Sequence, residues 1–206
     1  IYITIKCSMS NDVTYVDGAV ERAPRRAVGW SYFTVRLAQL LVSPVVPSLR
    51  GAFGAPGGAV GTILTGMWLV YACVQLPSGA AGDRYGQQRV VLAALGGTAV
   101  AALALAAAPS LLAFGAVALL LGMGAGLYYT PATALLTARF EDVGRVIGIH
   151  RVGSQAAGLV APALATLLGA RFGWRVVLGS GAVVTTLLLC VLLRRGPSAP
   201  LAVART

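Results

Sequence analysis

The sequence predicts an all-α integral membrane protein with six transmembrane helices. Hydrophobic residues make up 57% of the 206 residues and charged residues only 11%, whereas a soluble domain carries about 25% charged residues. The apolar residues also form long runs, each close to the roughly 20 residues that a helix needs to cross a hydrocarbon core about 30 Å thick. Charged residues lie mainly between these runs, as expected for loops outside a bilayer.

The order of elements follows from these runs. Residues 1–27 are expected to form a polar cytoplasmic tail, with 1–8 lying ahead of a true start at Met9. Residues 28–193 are expected to form the transmembrane bundle, and 194–206, which contain Gly, Pro and Ser, the beginning of a cytoplasmic linker. The six predicted spans are 28–49, 59–78, 90–108, 111–138, 146–168 and 175–193.

The basic residues predict how the chain is oriented. The net charge is +10, but Lys and Arg are scattered in ones and twos, without the clustered patch that a nucleic-acid partner requires. Of the 16 Lys and Arg residues, twelve lie on the side of the amino-terminal tail, three lie on the opposite side and Arg36 lies within the first span. Because cytoplasmic loops are enriched in Lys and Arg, both termini are expected in the cytoplasm, with the lipid bilayer of the plasma membrane around the spans.

The turn between the second and third spans carries a charged pattern made of Gly79, Asp83, Arg84, Gly86 and Arg89. Their spacing, G-x-x-x-D-R-x-G-x-x-R, resembles the cytoplasmic loop motif of major facilitator superfamily transporters. The resemblance implies that the chain is the amino-terminal six-helix half of a 12-helix carrier, which moves a small solute by alternating access. It also implies that this turn acts as a gate that latches the two halves together. A simple topology signal would explain the arginines but not Asp83.

Two segments of the sequence resemble each other. Residues 82–92 align with 169–178 with one gap, and each segment lies between the second and third spans of a triplet. Because three spans reverse the direction of the chain across the membrane, the two copies face opposite sides. The pattern predicts two inverted three-helix repeats. The alternative is chance similarity between segments that are rich in Gly, Arg and Val.

The first span has one polar face. The spacing of its polar residues, at intervals of four, three and four, places them on the same side of a helix. Arg36 lies about 12 Å into the span at 1.5 Å per residue, where a charge is costly unless it faces a cavity or a partner. This face is therefore predicted to line a substrate cavity, and the alternative is a structural network around Arg36. The candidate substrate-binding residues are Tyr32, Arg36, Gln39 and Ser43 on this face, with Gln75 and Tyr128 as weaker candidates.

The acidic residues bear on the substrate and its coupling. All six lie outside the predicted spans, so the guanidinium of Arg36 has no carboxylate partner at its depth and an anionic small-molecule substrate is expected. His150 and Arg151 are candidates for ion coupling, since intramembrane ionisable groups often serve it; the alternative for His150 is an interfacial hydrogen bond. Ala118 and Ala161 replace residues typical of proton antiporters in the resembled family, which leaves uniport and symport open.

No catalytic, cofactor or metal site is expected. The three cysteines are far apart and the chain has a single histidine, which does not match a zinc or disulfide pattern. The sequence also has no nucleotide-binding loop or nucleophile elbow. Two alternatives to a fragment of a carrier remain: a non-transporting six-helix membrane scaffold or intramembrane enzyme, and a half-size carrier that works as a homodimer. The expected protein partner is therefore either a missing carboxyl-terminal half or a second copy.

Overall fold

The computed structural model describes residues 25–194, and this part of the chain is helical with short connections and no strands. Predictions for residues 1–24 and 195–206, which include most of the tail and the linker, lie outside the described range. The helices are α1 (Arg25–Leu40), α2 (Val46–Phe53), α3 (Gly57–Tyr85), α4 (Gln87–Ala106), α5 (Leu111–Arg139), α6 (Val143–Phe172) and α7 (Trp174–Arg194).

Five of the helices within residues 25–194, α3 to α7, are long and apolar enough to cross a membrane. They correspond to the second to sixth predicted spans. The first predicted span, 28–49, contains a break in the structure, because α1 has 16 residues and ends at Leu40. Residues 41–45 form turns, and α2 then begins at Val46 with Pro47 in its first turn. Pro44 has no N–H to donate and disfavours a helical conformation at the preceding residue, which accounts for the break.

The connection between α3 and α4 is much tighter than predicted. In place of a loop from 79 to 89, α3 continues through Pro77 to Tyr85, and Gly86 alone separates it from α4. Gly86 has φ 91° and ψ 130°, which only glycine adopts without strain. Its N–H donates to the carbonyl of Gly82 (2.9 Å), and its own carbonyl accepts from the N–H of Val90 (3.2 Å). The chain thus reverses direction without losing these helical hydrogen bonds.

The connection between α6 and α7 is similar in its local geometry. Gly173 has φ 81° and again lies alone between two long helices. Its N–H donates to the carbonyl of Gly169 (3.1 Å), and its carbonyl accepts from the N–H of Val177 (3.4 Å). The two segments that resemble each other in sequence therefore form the same type of turn.

Glycines allow the long helices to pack closely. Helix α5 packs against α3 and α4, whereas α1 packs against α6 and α7, and α4 also packs against α7. A Cβ atom added at Gly122 on α5 would lie 2.3 Å from the carbonyl oxygen of Met67 on α3, and one at Gly126 would lie 2.6 Å from that of Tyr71. Because lipid provides no hydrophobic force between helices, such close backbone contact is a main source of their association.

Aromatic rings close one end of the bundle. Phe53, Phe114 and Trp174, on α2, α5 and α7, lie with their ring centroids 5.7 to 6.3 Å apart. Beside them, Arg175 lies over the ring of Trp174 and donates a hydrogen bond of 3.2 Å to the carbonyl of Ala108, past the end of α4. This end of α5 is separated from the polar residues around Tyr128 by about 20 Å of helix at 1.5 Å per residue.

Candidate functional site

Four rings from three helices form an aromatic cluster, which consists of Tyr32 on α1, Tyr128 and Tyr129 on α5, and His150 on α6. Tyr32 is at the centre. Its ring lies 4.8 Å from that of His150, 5.7 Å from that of Tyr128 and 5.5 Å from that of Tyr129, measured between centroids. Tyr32, Tyr128 and His150 are buried. Residues predicted separately as substrate and coupling candidates thus lie in one place.

Polar contacts hold the tyrosines of the cluster. The hydroxyl of Tyr128 hydrogen-bonds the hydroxyl of Ser31, and both residues are buried. The hydroxyl of Tyr129 accepts a hydrogen bond from Nη2 of Arg151, whose guanidinium carbon also lies 5.5 Å from the Tyr129 ring centroid. A buried phenol normally requires such a partner. Arg151 is exposed, so the cluster extends from the interior to the surface of the bundle.

A second group lies on the next turn of α1. Arg36 Nη1 donates a hydrogen bond of 2.8 Å to Oε1 of Gln39. The guanidinium carbon of Arg36 also lies 5.0 Å from the ring centroid of Trp68 and 5.5 Å from that of Tyr71, both on α3. Such contacts with aromatic faces stabilise a desolvated cation by about 2 kcal/mol. Arg36 is therefore held by aromatic rings and by an amide.

Two hydrogen-bond donors of this group are unused. Within residues 25–194, neither Arg36 Nε nor Gln39 Nε2 has a hydrogen-bond partner, although both atoms are buried. The side chain of Gln39 is fully buried. An unsatisfied buried donor costs about 1–3 kcal/mol, and more when the group is charged. These donors are suited to receiving acceptor atoms from a ligand.

Two of the predicted substrate-binding residues lie elsewhere. Ser43, predicted on the same helical face as Arg36, lies in the turn 41–45 and is exposed, because α1 ends before it. The polar face of α1 thus contains three of its four predicted members. Gln75 lies on α3, where its main-chain carbonyl accepts hydrogen bonds from the hydroxyls of Ser78 (2.7 Å) and Thr130 (3.2 Å).

The charged motif is distributed over two helix ends. Gly79, Asp83 and Arg84 belong to the last turns of α3, and Arg89 belongs to the first turn of α4. Asp83 is exposed and accepts a hydrogen bond of 2.9 Å from the side-chain amide of Gln87, and the Arg84 guanidinium carbon lies 5.4 Å from the ring centroid of Tyr85. The observed contact of Asp83 is thus with a side chain of the first turn of α4.

Ser31, Trp68 and Tyr71 were not predicted from the sequence as members of the site. Trp68 and Tyr71 are the two aromatic residues of the span 59–78, and their spacing of three places them on one helical face, which could have identified them as a pair. Their contact with Arg36 depends on how α3 is rotated relative to α1, which no spacing encodes. In the described part of the chain, no three His, Cys, Asp or Glu side chains are arranged to hold a metal ion.

Comparison with known proteins identifies the family. The family model of the Major Facilitator Superfamily matches residues 28–205. A protein described as a probable sulfoacetate transporter, SauU of Cupriavidus necator, is 25% identical over 171 residues, which cover 81% of this chain and 40% of that protein. The chain thus spans about two fifths of the length of this relative.

Solved structures have the same fold. A bacterial homolog of the human lysosomal transporter Spinster, inward-facing and unoccupied, superposes with a TM-score of 0.76 at 18% identity, over 86% of this chain and 44% of the other. The peptide transporter POT in complex with alafosfalin superposes with a TM-score of 0.69 at 17% identity, over 82% of this chain and 37% of the other. The family match covers most of the chain, and the helices agree with it. This chain belongs to the major facilitator superfamily, a family of multi-pass membrane transporters.

Proposed function

We propose that the chain is the amino-terminal six-helix half of a secondary active transporter, which moves a small solute by alternating access. The observation that carries this proposal is the position of the Arg36–Gln39 pair beside the aromatic cluster. These groups come from α1, α3, α5 and α6, so a solute bound there would contact four helices at once. Midplane sites between helices are typical of secondary transporters.

The proposal requires six crossings, and α1 with α2 would supply the first. Their bounds, Arg25–Leu40 and Val46–Phe53, together extend over a length comparable to the other spans. Tighter hydrogen bonds connect the two helices across the break, from the N–H of Val42 to the carbonyl of Gln39 (3.4 Å), from Ser43 to Leu40 (3.3 Å) and from Val46 to Ser43 (3.3 Å). Broken helices at membrane depth are tolerated where protein surrounds them, and Leu41, Val45 and Leu49 are buried.

The pattern of helix contacts supports two inverted repeats. One triplet would be the α1–α2 pair, α3 and α4, and the other α5, α6 and α7. In this arrangement α1 corresponds to α5, α3 to α6 and α4 to α7. The α3–α5 contact then corresponds to the α6–α1 contact, the α4–α5 contact to α7–α1, and the α3–α4 contact to α6–α7. The α4–α7 contact corresponds to itself. All of these contacts are present. The equivalent turns at Gly86 and Gly173 agree with the same exchange.

The orientation and the partner are part of the proposal. The protein lies in the plasma membrane with both termini in the cytoplasm. In this orientation the Gly86 turn lies on the cytoplasmic side and the Gly173 turn lies outside the cell. The charged motif of Gly79, Asp83, Arg84, Gly86 and Arg89 would then contact a second bundle at the cytoplasmic face. The greater length of the relatives supports a carboxyl-terminal half as that bundle, with a second copy of this chain as the other arrangement.

The residues of the site have proposed roles. Tyr32, Arg36, Gln39 and Tyr128 contact the solute, and His150 and Arg151 couple its movement to an ion through their contacts with Tyr32 and Tyr129. Ser43 and Gln75 have peripheral roles, because neither shares the contacts of the Arg36–Gln39 pair. The unsatisfied donors favour an anionic solute, and the name of the relative from Cupriavidus necator makes sulfoacetate the first compound to test.

Counterflow tests the proposal directly. The complete encoded protein would be reconstituted in vesicles that contain unlabelled sulfoacetate, and entry of labelled sulfoacetate would be followed. We expect saturable entry that depends on the internal compound, and at least a tenfold lower rate for Tyr128→Ala. Phe172→Ala, which removes an exposed aromatic ring at the end of α6, is the control and should have no effect.

A scaffold would give a different result. It would exchange neither sulfoacetate nor any member of a panel of small acids, amines, sugars and peptides. A half-size homodimer would exchange solute in vesicles that contain this chain alone, and cross-linking would give a product of twice its mass.

A further inference from the structure

We infer that Arg36 and Gln39 bind the two oxygens of a single acid group, so that the solute is a small organic acid with a carboxylate or a sulfonate. The inference rests on the proposed function, since it concerns the chemistry of the same site. It assigns the contacts to two atoms, Nε of Arg36 and Nε2 of Gln39.

The hydrogen bond within the pair determines which groups remain available. Arg36 Nη1 donates to Oε1 of Gln39 at 2.8 Å. A flip of the Gln39 amide by about 180° would place its NH₂ group against the guanidinium, so that two donors would face each other. The observed orientation is therefore the favourable one. With Oε1 occupied, Gln39 presents NH₂, and Arg36 has only donors. The pair therefore binds acceptors.

Both available donors are buried, and no acidic residue is near. The sequence has no Asp or Glu between residues 22 and 82, none between 84 and 140, and none after Asp142. Among residues 25–194 the acids are Asp83, Glu141 and Asp142, all exposed at helix ends. Water could satisfy the hydrogen bonds of the pair, but it cannot neutralise the charge. An anion from outside the chain does both.

The aromatic contacts orient the guanidinium. Trp68 and Tyr71 lie 5.0 and 5.5 Å from its central carbon, so two rings restrict the positions that the group can occupy. The free N–H of the guanidinium and the NH₂ group of Gln39 together fit a group with two oxygens better than a spherical ion. Lysine does not replace it, because the guanidinium donates to Gln39 through Nη1 and to the acid through Nε, whereas an ammonium group has a single nitrogen.

Trp68 provides a signal for binding. The complete protein in lipid nanodiscs would be titrated at constant ionic strength with acetate and methanesulfonate, while tryptophan fluorescence is recorded. Acetamide and dimethyl sulfone, which have similar shape and no charge, are the matched neutral compounds. We expect a saturable change with one or both acids and none with the neutral compounds, and the change should be absent in Trp68→Phe. The two acids distinguish a carboxylate site from a sulfonate site.

Variants connect the signal to the two atoms. Gln39→Glu keeps an acceptor for Arg36 but replaces the NH₂ donor with a competing carboxylate, and binding should weaken at least tenfold. Gln39→Met removes the donor without adding charge and should also weaken binding, which covers the case that Gln39→Glu does not fold. Arg36→Lys should weaken binding at least tenfold. Arg50→Gln, which removes an exposed arginine on α2, should leave binding unchanged.

The outcomes separate this inference from the transporter proposal. Acid binding that is equally tight in Gln39→Met and Arg36→Lys overturns the inference. Exchange of a neutral solute that is unaffected by these variants also overturns it, but leaves the transporter proposal in place. Acid binding that depends on both residues, in a protein that exchanges no solute, supports the acid site and contradicts transport.

Discussion

The imidazole ring of His150 lies flat against the phenol ring of Tyr32, with centroids 4.8 Å apart and planes inclined by 15°. The two residues belong to α6 and α1, and both are buried. The stack fixes the rotation of one helix relative to the other at the candidate site. Histidine contributes two separable properties here: a ring that fills space, and a proton that it can bind.

Substitution of His150 separates these properties. His150→Phe keeps a ring against Tyr32 and should destabilise the protein less than His150→Ala, which leaves a void and should lose about 2–3 kcal/mol of stability. If His150 couples transport to protons, His150→Phe should abolish the pH dependence of solute exchange, since histidine changes charge between about pH 5 and 8. Thermal unfolding and counterflow at several pH values measure the two effects. A pH profile of His150→Phe equal to that of the unmodified protein contradicts coupling by His150.

Close packing of α3 on α5 gives a prediction for stability alone. A Cβ atom at position 122 would lie 2.3 Å from the carbonyl oxygen of Met67, and a backbone atom cannot move away without separating the helices. Gly122→Ala should therefore destabilise the protein by at least about 1–3 kcal/mol, the usual cost of overpacking. Gly97→Ala on α4, where an added Cβ has no neighbour within 4 Å, should be neutral or stabilising by up to about 1 kcal/mol. Equal melting temperatures for the two variants would contradict the observed packing.

Much of the helical framework is predictable from sequence. Helix α5 was expected over 111–138 and runs from Leu111 to Arg139, because Ser110 marks its start and accepts a hydrogen bond from the N–H of Ala113. The extension of α3 to Tyr85 was missed, since polar residues and glycines in 79–86 have the composition of a loop. Helical hydrogen bonding depends on the backbone, and α3 simply continues beyond its apolar segment.

The candidate site was only partly predictable, for a related reason. The contact between Arg36 and Gln39 follows from helical periodicity, because residues three apart lie on one face. The contacts of Arg36 with Trp68, and of Tyr32 with His150, join different helices. They depend on how those helices are rotated and how closely they approach, which the spacing of residues within one helix does not encode.

The two equivalent glycine turns predict equivalent effects of substitution. Gly86 and Gly173 have φ of 91° and 81°, and a residue with a Cβ in such a conformation costs about 1–3 kcal/mol. Gly86→Ala and Gly173→Ala should lower stability by similar amounts. The matched control is Gly144→Ala, in the first turn of α6. Gly144 does not have a positive φ, and an added Cβ there has no neighbour within 4 Å. Thermal unfolding of the three variants checks the prediction, and two turns that differ widely in sensitivity would contradict their equivalence.

The exposed carboxylate of Asp83 should matter for transport and not for folding. Its observed contact is a hydrogen bond from the side chain of Gln87, which an asparagine oxygen can also accept, so Asp83→Asn should change stability by less than about 0.5 kcal/mol. If the charge contacts a second bundle at the cytoplasmic face, the same variant should lower the rate of solute exchange at least tenfold. Glu141→Gln removes an equally exposed charge from the connection between α5 and α6 and should leave the rate near that of the unmodified protein. Initial rates of counterflow compare them at equal amounts of folded protein. Equal rates of solute exchange for Asp83→Asn and Glu141→Gln would show that the charge of Asp83 has no part in gating.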